Sequence, residues 1–218
     1  MTTIHILRHG QALHNVERGY PHRDPPLTDI GTAQARFIQQ TIKIQPDLII
    51  VSPMTRTIQT MYIVFRYLLH STKTPVQVWP DLREAHDATC NKGVSRKELA
   101  EKFPNLDFSA CPEKWDFPPH TPDDATVRAE RVRRRLRDVA RTGGYKNIMV
   151  VTHRGIAAFL VQGDRFSVCE HRSYRFATSE EVDKARHGVN VDTGLDQDFG
   201  PTVLIPAEKP KARQEQSS

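Results

Sequence analysis

The sequence contains no run approaching the roughly 20 apolar residues that a membrane-spanning helix needs, and no basic leader separates Met1-Thr2-Thr3 from the first apolar segment. No membrane association is expected, and the expected location is the cytoplasm, with the nucleus as an alternative. Cysteine is scarce. Cys90, Cys111 and Cys169 are odd in number, far apart and without a CxxC pair, which reads as reduced thiols rather than a disulfide framework or a zinc site. There is no internal repeat, and the few aromatics are not interleaved with basic residues as single-strand nucleic-acid binding would ask. What is present is a 218-residue chain with 38% hydrophobic residues, long enough for one domain with a core of its own. Its formal charge of +5 suits an enzyme that handles phosphate esters as well as it suits a polyanion binder.

Short apolar runs alternate with longer segments of helical period, which predicts an α/β fold with a mostly parallel sheet covered on both faces. The strands are expected at Ile4 to Leu7, Leu48 to Val51, Val76 to Trp79 and Ile148 to Val151. A helix is expected over Ile30 to Ile42. A second should follow Val51 with Ser52 as N-cap and Pro53 in its first position, burying Met54, Ile58, Met61, Tyr62, Phe65, Leu68 and Leu69 as one stripe. A third should open at Thr121-Pro122 and stop at Gly143-Gly144. Residues 86 to 120 read as an excursion from the sheet with one short helix near Arg96 to Phe103, of the kind that covers active sites. Residues 1–206 are expected to form one domain and residues 207–218 a disordered tail.

The unusual residues fall at strand ends. Arg8 and His9 follow the first strand, Arg56 lies in the first turn after the second, Glu84 comes shortly after the third, and His153 follows the fourth. The C-terminal ends of parallel strands share one edge, where ligands bind, so these five residues are expected to meet. Each alone has a plainer reading as a surface or hydrogen-bonded side chain. Arg56, however, opposes the helix dipole unless an anion sits beside it. Phosphate esters demand such a set: planar guanidinium clamps for the oxygens, a neutral imidazole as nucleophile, and a carboxyl to protonate the leaving alkoxide. The scheme requires no metal and no cofactor.

Leu7-Arg8-His9-Gly10 with Asn15, Leu27-Thr28 through Gln34-Ala35, Ser52 through Arg56 to Gln59-Thr60, Leu82-Arg83-Glu84 and Val151-Thr152-His153 together resemble the motifs of the phosphoglycerate-mutase-like, or histidine phosphatase, superfamily. The stretch from Arg83 to Lys92 is similar to its fungal branches. The resemblance covers roughly residues 3 to 160. It implies a three-layer αβα sandwich and a phosphohistidine mechanism. In that scheme His9 attacks, His153, Arg8 and Arg56 hold the phosphoryl oxygens, Glu84 serves as acid and then base, and Asn15 donates a hydrogen bond in the pocket. The sequence departs from the pattern at Arg154, where many members carry Gly.

Glu84 is followed by Ala85-His86-Asp87 rather than the Arg-x-Tyr-Gly stretch of phosphoglycerate mutases, so hydrolysis of a phosphorylated small molecule is favoured over transfer, with the mutase as an alternative. Arg23, Asp24, His86, Asp87 and Arg154 are rim candidates for substrate binding, and Tyr174 and Arg175 are weaker ones. His86 and Cys90 have helical ligand spacing but no second close pair, so no metal site is expected. The helix near residue 130 carries Arg128, Arg131, Arg133, Arg134, Arg135, Arg137 and Arg141 around a buried stripe of Ala125, Ala129, Val132, Leu136 and Val139. Most of those arginines should face solvent. A non-catalytic scaffold or nucleic-acid-associated subunit is therefore the competing reading, less favoured because all five catalytic-type residues are present. The expected partner is a phosphorylated small molecule or inorganic phosphate.

Overall fold

A computed structural model describes residues 2–17, 19–71, 74–116 and 121–207. Its main sheet has the order β3-β2-β4-β1-β5-β8. The strands are β1 (Thr3–Arg8), β2 (Leu48–Val51), β3 (Val76–Val78), β4 (Asn147–Thr152), β5 (His171–Phe176) and β8 (Leu204–Pro206). The four expected strands are the parallel ones. β5 and β8 add an antiparallel edge that the sequence reading did not name. β5 is mostly half-buried and carries charge, so no apolar run marks it, and the run that ends in β8, Val203 to Ile205, is only three residues long. A hairpin of β6 (His187–Val189) and β7 (Asp196–Asp198) stands apart from the sheet.

Alternation along the central strands builds the three layers. Ile4, Ile6, Leu48, Ile50, Ile148 and Val150 face one core with the buried side of α6 (Pro122–Gly143) and α7 (Arg154–Leu160). Leu7, Ile49, Val51, Met149 and Val151 face the other, with α2 (Asp29–Thr41) and α3 (Thr55–Val64). The shorter helices are α1 (Leu13–Val16), α4 (Arg66–Ser71), α5 (Arg96–Lys102) and α8 (Ser179–Ala185). The excursion after residue 86 contains α5 as expected and sends Leu99, Phe108, Cys111 and Trp115 into the second core.

Two local expectations need correction. The helix after β2 begins at Thr55 with Met54 in the N-cap position and no cap from its own side chain, so Pro53 precedes it and Ser52 is not its cap. Instead the Asp24 carboxylate, from a loop distant in sequence, accepts from Thr55 N at 2.8 Å and from Thr55 Oγ1 at 2.5 Å. The buried stripe is split, because Phe65 (φ −107°, ψ 18°) leaves helical geometry between α3 and α4. Most of the α6 arginines face solvent as expected, Arg131, Arg134, Arg135, Arg137 and Arg141 being exposed; Arg128 and Arg133 are the exceptions, both buried and donating to backbone carbonyls. At the C-terminus, Pro206 at the end of β8 pairs with Tyr174, and Ala207 N donates to Ser173 O. Residues 208–218 lie outside the described residues.

Candidate active site

The parallel register that pairs Arg8 with Thr152 brings the residues after β1 and β4 side by side, and His9 N donates to Thr152 O at 3.0 Å. The two rings, His9 and His153, meet edge to face with centroids 5.2 Å apart. His9 Nδ1 lies 2.7 Å from Gly10 O. A carbonyl only accepts, so Nδ1 carries the hydrogen and Nε2 keeps its lone pair. On His153 the bonded nitrogen is Nε2, 2.8 Å from Ser52 Oγ, and buried Nδ1 has no hydrogen-bond partner. Burial first, then the nearby guanidinium of Arg56, hold both imidazoles well below the ordinary histidine range. Both are therefore neutral at pH 7.

Arg8 reaches from the end of β1 to donate to Phe166 O at 2.7 Å, and its Nε is buried without a partner. Arg56 is fully buried in the first turn of α3. It donates to Cys90 O at 3.1 Å and Asn91 Oδ1 at 3.0 Å, and its Nε too is unpartnered. His14, which the sequence reading missed, stands with its ring centroid 5.9 Å from His9. Burial, Arg56 and Arg8 push it down to about 3, and its Nδ1 is unpartnered. Four of the residues gathered about His9 thus each keep a buried nitrogen without a partner. Buried polar groups in folded proteins are ordinarily satisfied, and a concentration of donors is what a multiply charged oxyanion complements.

Glu84 arrives on a turn that is held carbonyl by carbonyl. Arg128 Nη1 donates to Asp81 O at 3.0 Å and Arg83 O at 2.9 Å, and its Nη2 to Glu84 O at 3.2 Å. Thr152, the residue before His153, takes the remaining carbonyl, Leu82 O, at 2.9 Å. The Glu84 carboxylate accepts from Ala85 N (2.6 Å), Ile156 N (2.9 Å) and Gly155 N (3.2 Å). A Cβ on Gly155 would collide with this carboxylate and the His86 ring. The glycine this pocket needs is therefore Gly155, one position beyond Arg154.

The rim residues are engaged by the protein itself. Asn15 Oδ1 accepts from Ala12 N at 2.9 Å, and its Nδ2 lies 3.1 Å from His14 Nε2, so its contacts are with the loop and with His14. Arg23 pairs with Asp116 at 2.6 Å. His86 Nε2 (3.0 Å) and Arg154 Nε (3.4 Å) both meet the buried Asp192 carboxylate, which the hairpin segment supplies and the sequence reading missed. Tyr174 lies in the core and Arg175 pairs with Glu181 at 2.7 Å, so neither reaches the site. Among the described residues no three His, Cys, Asp or Glu side chains are gathered as a metal ion would need. Three motif residues that the sequence left without a role turn out to be loop ties: Gln34 accepts from Gln11 N (2.9 Å), Gln59 from Leu27 N (2.8 Å) and Thr60 from Gly10 N (3.1 Å).

Comparison with known proteins bears on the family and the fold. The family model of the histidine phosphatase superfamily (branch 1) matches residues 4–164. A probable phosphatase of Schizosaccharomyces pombe is 40% identical over 121 residues, which span 53% of this chain and 56% of that relative. The adenosylcobalamin/alpha-ribazole phosphatase of Escherichia coli is 27% identical over 159 residues, 72% of this chain and 75% of that protein. Among solved structures, the ecdysone phosphate phosphatase of Bombix mori, in complex with tungstate, superposes with a TM-score of 0.61 at 18% identity, covering 80% of this chain and 89% of that one.

Proposed function

The chain belongs to the histidine phosphatase superfamily (branch 1), and from that premise we propose that it is a phosphomonoesterase that hydrolyses a phosphorylated small molecule through a phosphohistidine on His9. The observation that carries this reading is the ring of unpartnered buried nitrogens (Arg8 Nε, Arg56 Nε, His153 Nδ1, His14 Nδ1) around an imidazole whose free nitrogen is Nε2. His9 Nε2 attacks phosphorus while the ester oxygen leaves, and the guanidiniums and His153 Nδ1–H take the charge of the equatorial oxygens. Ser52, donating its hydroxyl to His153 Nε2, keeps that Nδ1–H in place. Glu84 gives its proton to the departing alkoxide. It then takes one from the water that attacks the phosphohistidine, so protons balance over the cycle.

The rim residues Asn15, Arg23, His86 and Arg154 contact the remainder of the substrate, with residues 1–206 acting as one domain. A cytoplasmic location fits the three unpaired cysteines; among the described residues no helix is long and apolar enough to cross a membrane. Nucleic acid is not among its partners on this reading. Purified protein should release phosphate from an aryl phosphate, and His9→Ala should lower kcat/KM by roughly four orders of magnitude or more. Retention of full activity by that variant would rule out the phosphohistidine.

A further inference from the structure

A second cavity, of about 190 Å³, lies against the acid turn, and none of its lining residues belongs to the constellation around His9. Three guanidiniums line it, those of Arg83, Arg128 and Arg131, against two carboxylates, Asp81 and Asp124. The carboxylates are already shared: Asp124 lies 2.8 Å from Arg128 Nε and 3.3 Å from Arg83 Nη2, and Asp81 lies 3.4 Å from Arg131 Nη1. Two donors remain. Arg83 is 4% exposed and Trp115 2% exposed, and Arg83 Nε and Trp115 Nε1 are both buried without a hydrogen-bond partner. An indole N–H and a guanidinium N–H can only donate, and leaving either unmet in a buried place is costly. The surplus positive charge asks that the missing acceptor be negative. Burial and the neighbouring Arg128 pull Arg83 down to about 10, the response of a guanidinium short of counter-charge.

We propose that this cavity binds a small tetrahedral oxyanion of the phosphate class, at a site separate from His9. The anion accepts from Arg83 Nε and Trp115 Nε1, and the Arg131 side chain, 58% exposed at the rim, closes over it as a further guanidinium. The inference does not depend on the phosphatase reading.

The test is a calorimetric titration of the full chain with inorganic phosphate in phosphate-free buffer. Arg131 is on the exposed side of α6, so Arg131→Glu reverses the charge at the cavity mouth without touching the core or the constellation around His9. It should bind one phosphate fewer per chain than the unaltered protein. Trp115→Phe, which keeps the ring packing and deletes one donor, should weaken the same site about tenfold. Equal stoichiometry in the unaltered and Arg131→Glu proteins, with phosphate affinities unchanged in Trp115→Phe, overturns the proposal. If His9 proves to have no part in phosphate binding, the difference of one phosphate remains and only the total changes.

Discussion

The inner pocket and its rim use the same residue types in opposite ways. Arg8, Arg56 and His153 keep a buried donor nitrogen with no protein partner. On the rim, Arg23 faces Asp116, and His86 and Arg154 share Asp192. An arginine that closes an ion pair within the protein fixes a loop. One held rigid by some of its donors while another stays unmet is prepared for a ligand, because the ordering cost is met during folding rather than at binding. On the proposed mechanism the contrast separates the inner pocket, which carries the chemistry, from the loop geometry that shapes what enters.

The largest effect that would break this contrast is at Arg8. On the proposed mechanism Arg8→Ala removes a donor to the phosphoryl oxygens, and it should lower kcat/KM about 10²- to 10³-fold, as loss of one preorganised donor does elsewhere. It also removes one of the positive charges that depress His9. A nucleophile with a lowered pKa stays neutral until pH falls to that lowered value, so the unaltered enzyme should show no loss centred near the free-imidazole value of about 6.5. In Arg8→Ala the acid limb of kcat/KM should move upward. An Arg8→Ala enzyme as active as a rim variant would show that the unmet nitrogen is not a ligand for phosphate.

Next in size is the clamp on the acid turn. Arg128→Gln withdraws charge-assisted bonds from the carbonyls of Asp81, Arg83 and Glu84, and frees a carboxylate, Asp124, that was paired with it. Turnover of an alkyl phosphate, whose leaving group needs a proton, should fall about 10- to 100-fold, and that of an aryl phosphate with an acidic phenol much less. Equal loss on both would mean that Arg128 supports the fold as a whole rather than the placement of Glu84. A smaller effect is expected at the rim. Asp192→Asn weakens the hold on His86 and Arg154 together and should raise KM several-fold while kcat stays within about a factor of two, the signature of contacts equal in ground and transition states. A drop in kcat without a change in KM would move Asp192 from the rim to the chemistry.

The same contrast explains what was legible in the sequence. Runs such as Leu48 to Val51 and Ile148 to Val151 are buried on both faces, and a parallel topology then sends the residues after them to one edge, so His9, Arg56 and His153 could be placed together from spacing alone. The antiparallel edge was missed because β5 is charged and mostly half-buried, while the apolar run that ends in β8, Val203 to Ile205, is only three residues long. Partnerships across large sequence distances were equally hidden: nothing local to Asp192 indicates that it faces His86, and nothing near Thr55 indicates that Asp24 caps its helix. Arg128 and Arg133 depart from the exposed majority of the α6 arginines for a physical reason. Helical periodicity sorts residues by polarity, and a guanidinium that finds carbonyls inside the fold lies on the apolar side of α6 all the same.

Asp24 offers the smallest and most discriminating change. It is buried, adopts φ 47°, and joins two rim segments: its N–H meets Lys92 O at 3.0 Å while its carboxylate caps α3. Burial raises its pKa above the ordinary aspartate value, more than the Thr55 bonds and Arg56 lower it. For an acid raised in the folded state, the native protein holds the proton more tightly than the unfolded chain. Stability from this group is therefore greatest in acid, and it declines as pH rises from the unfolded value through the folded one. Asp24→Asn keeps an oxygen for Thr55 N and carries no charge at any pH. It should therefore change stability by no more than about 1 kcal/mol at pH 7, in the stabilising direction, and the gain should shrink toward pH 4. Thermal unfolding of both proteins between pH 4 and 8 reads this directly. A destabilisation that grows with pH would mean that the negative charge of Asp24 beside Arg56 outweighs its burial, and would make Asp24 part of the inner pocket rather than of its rim.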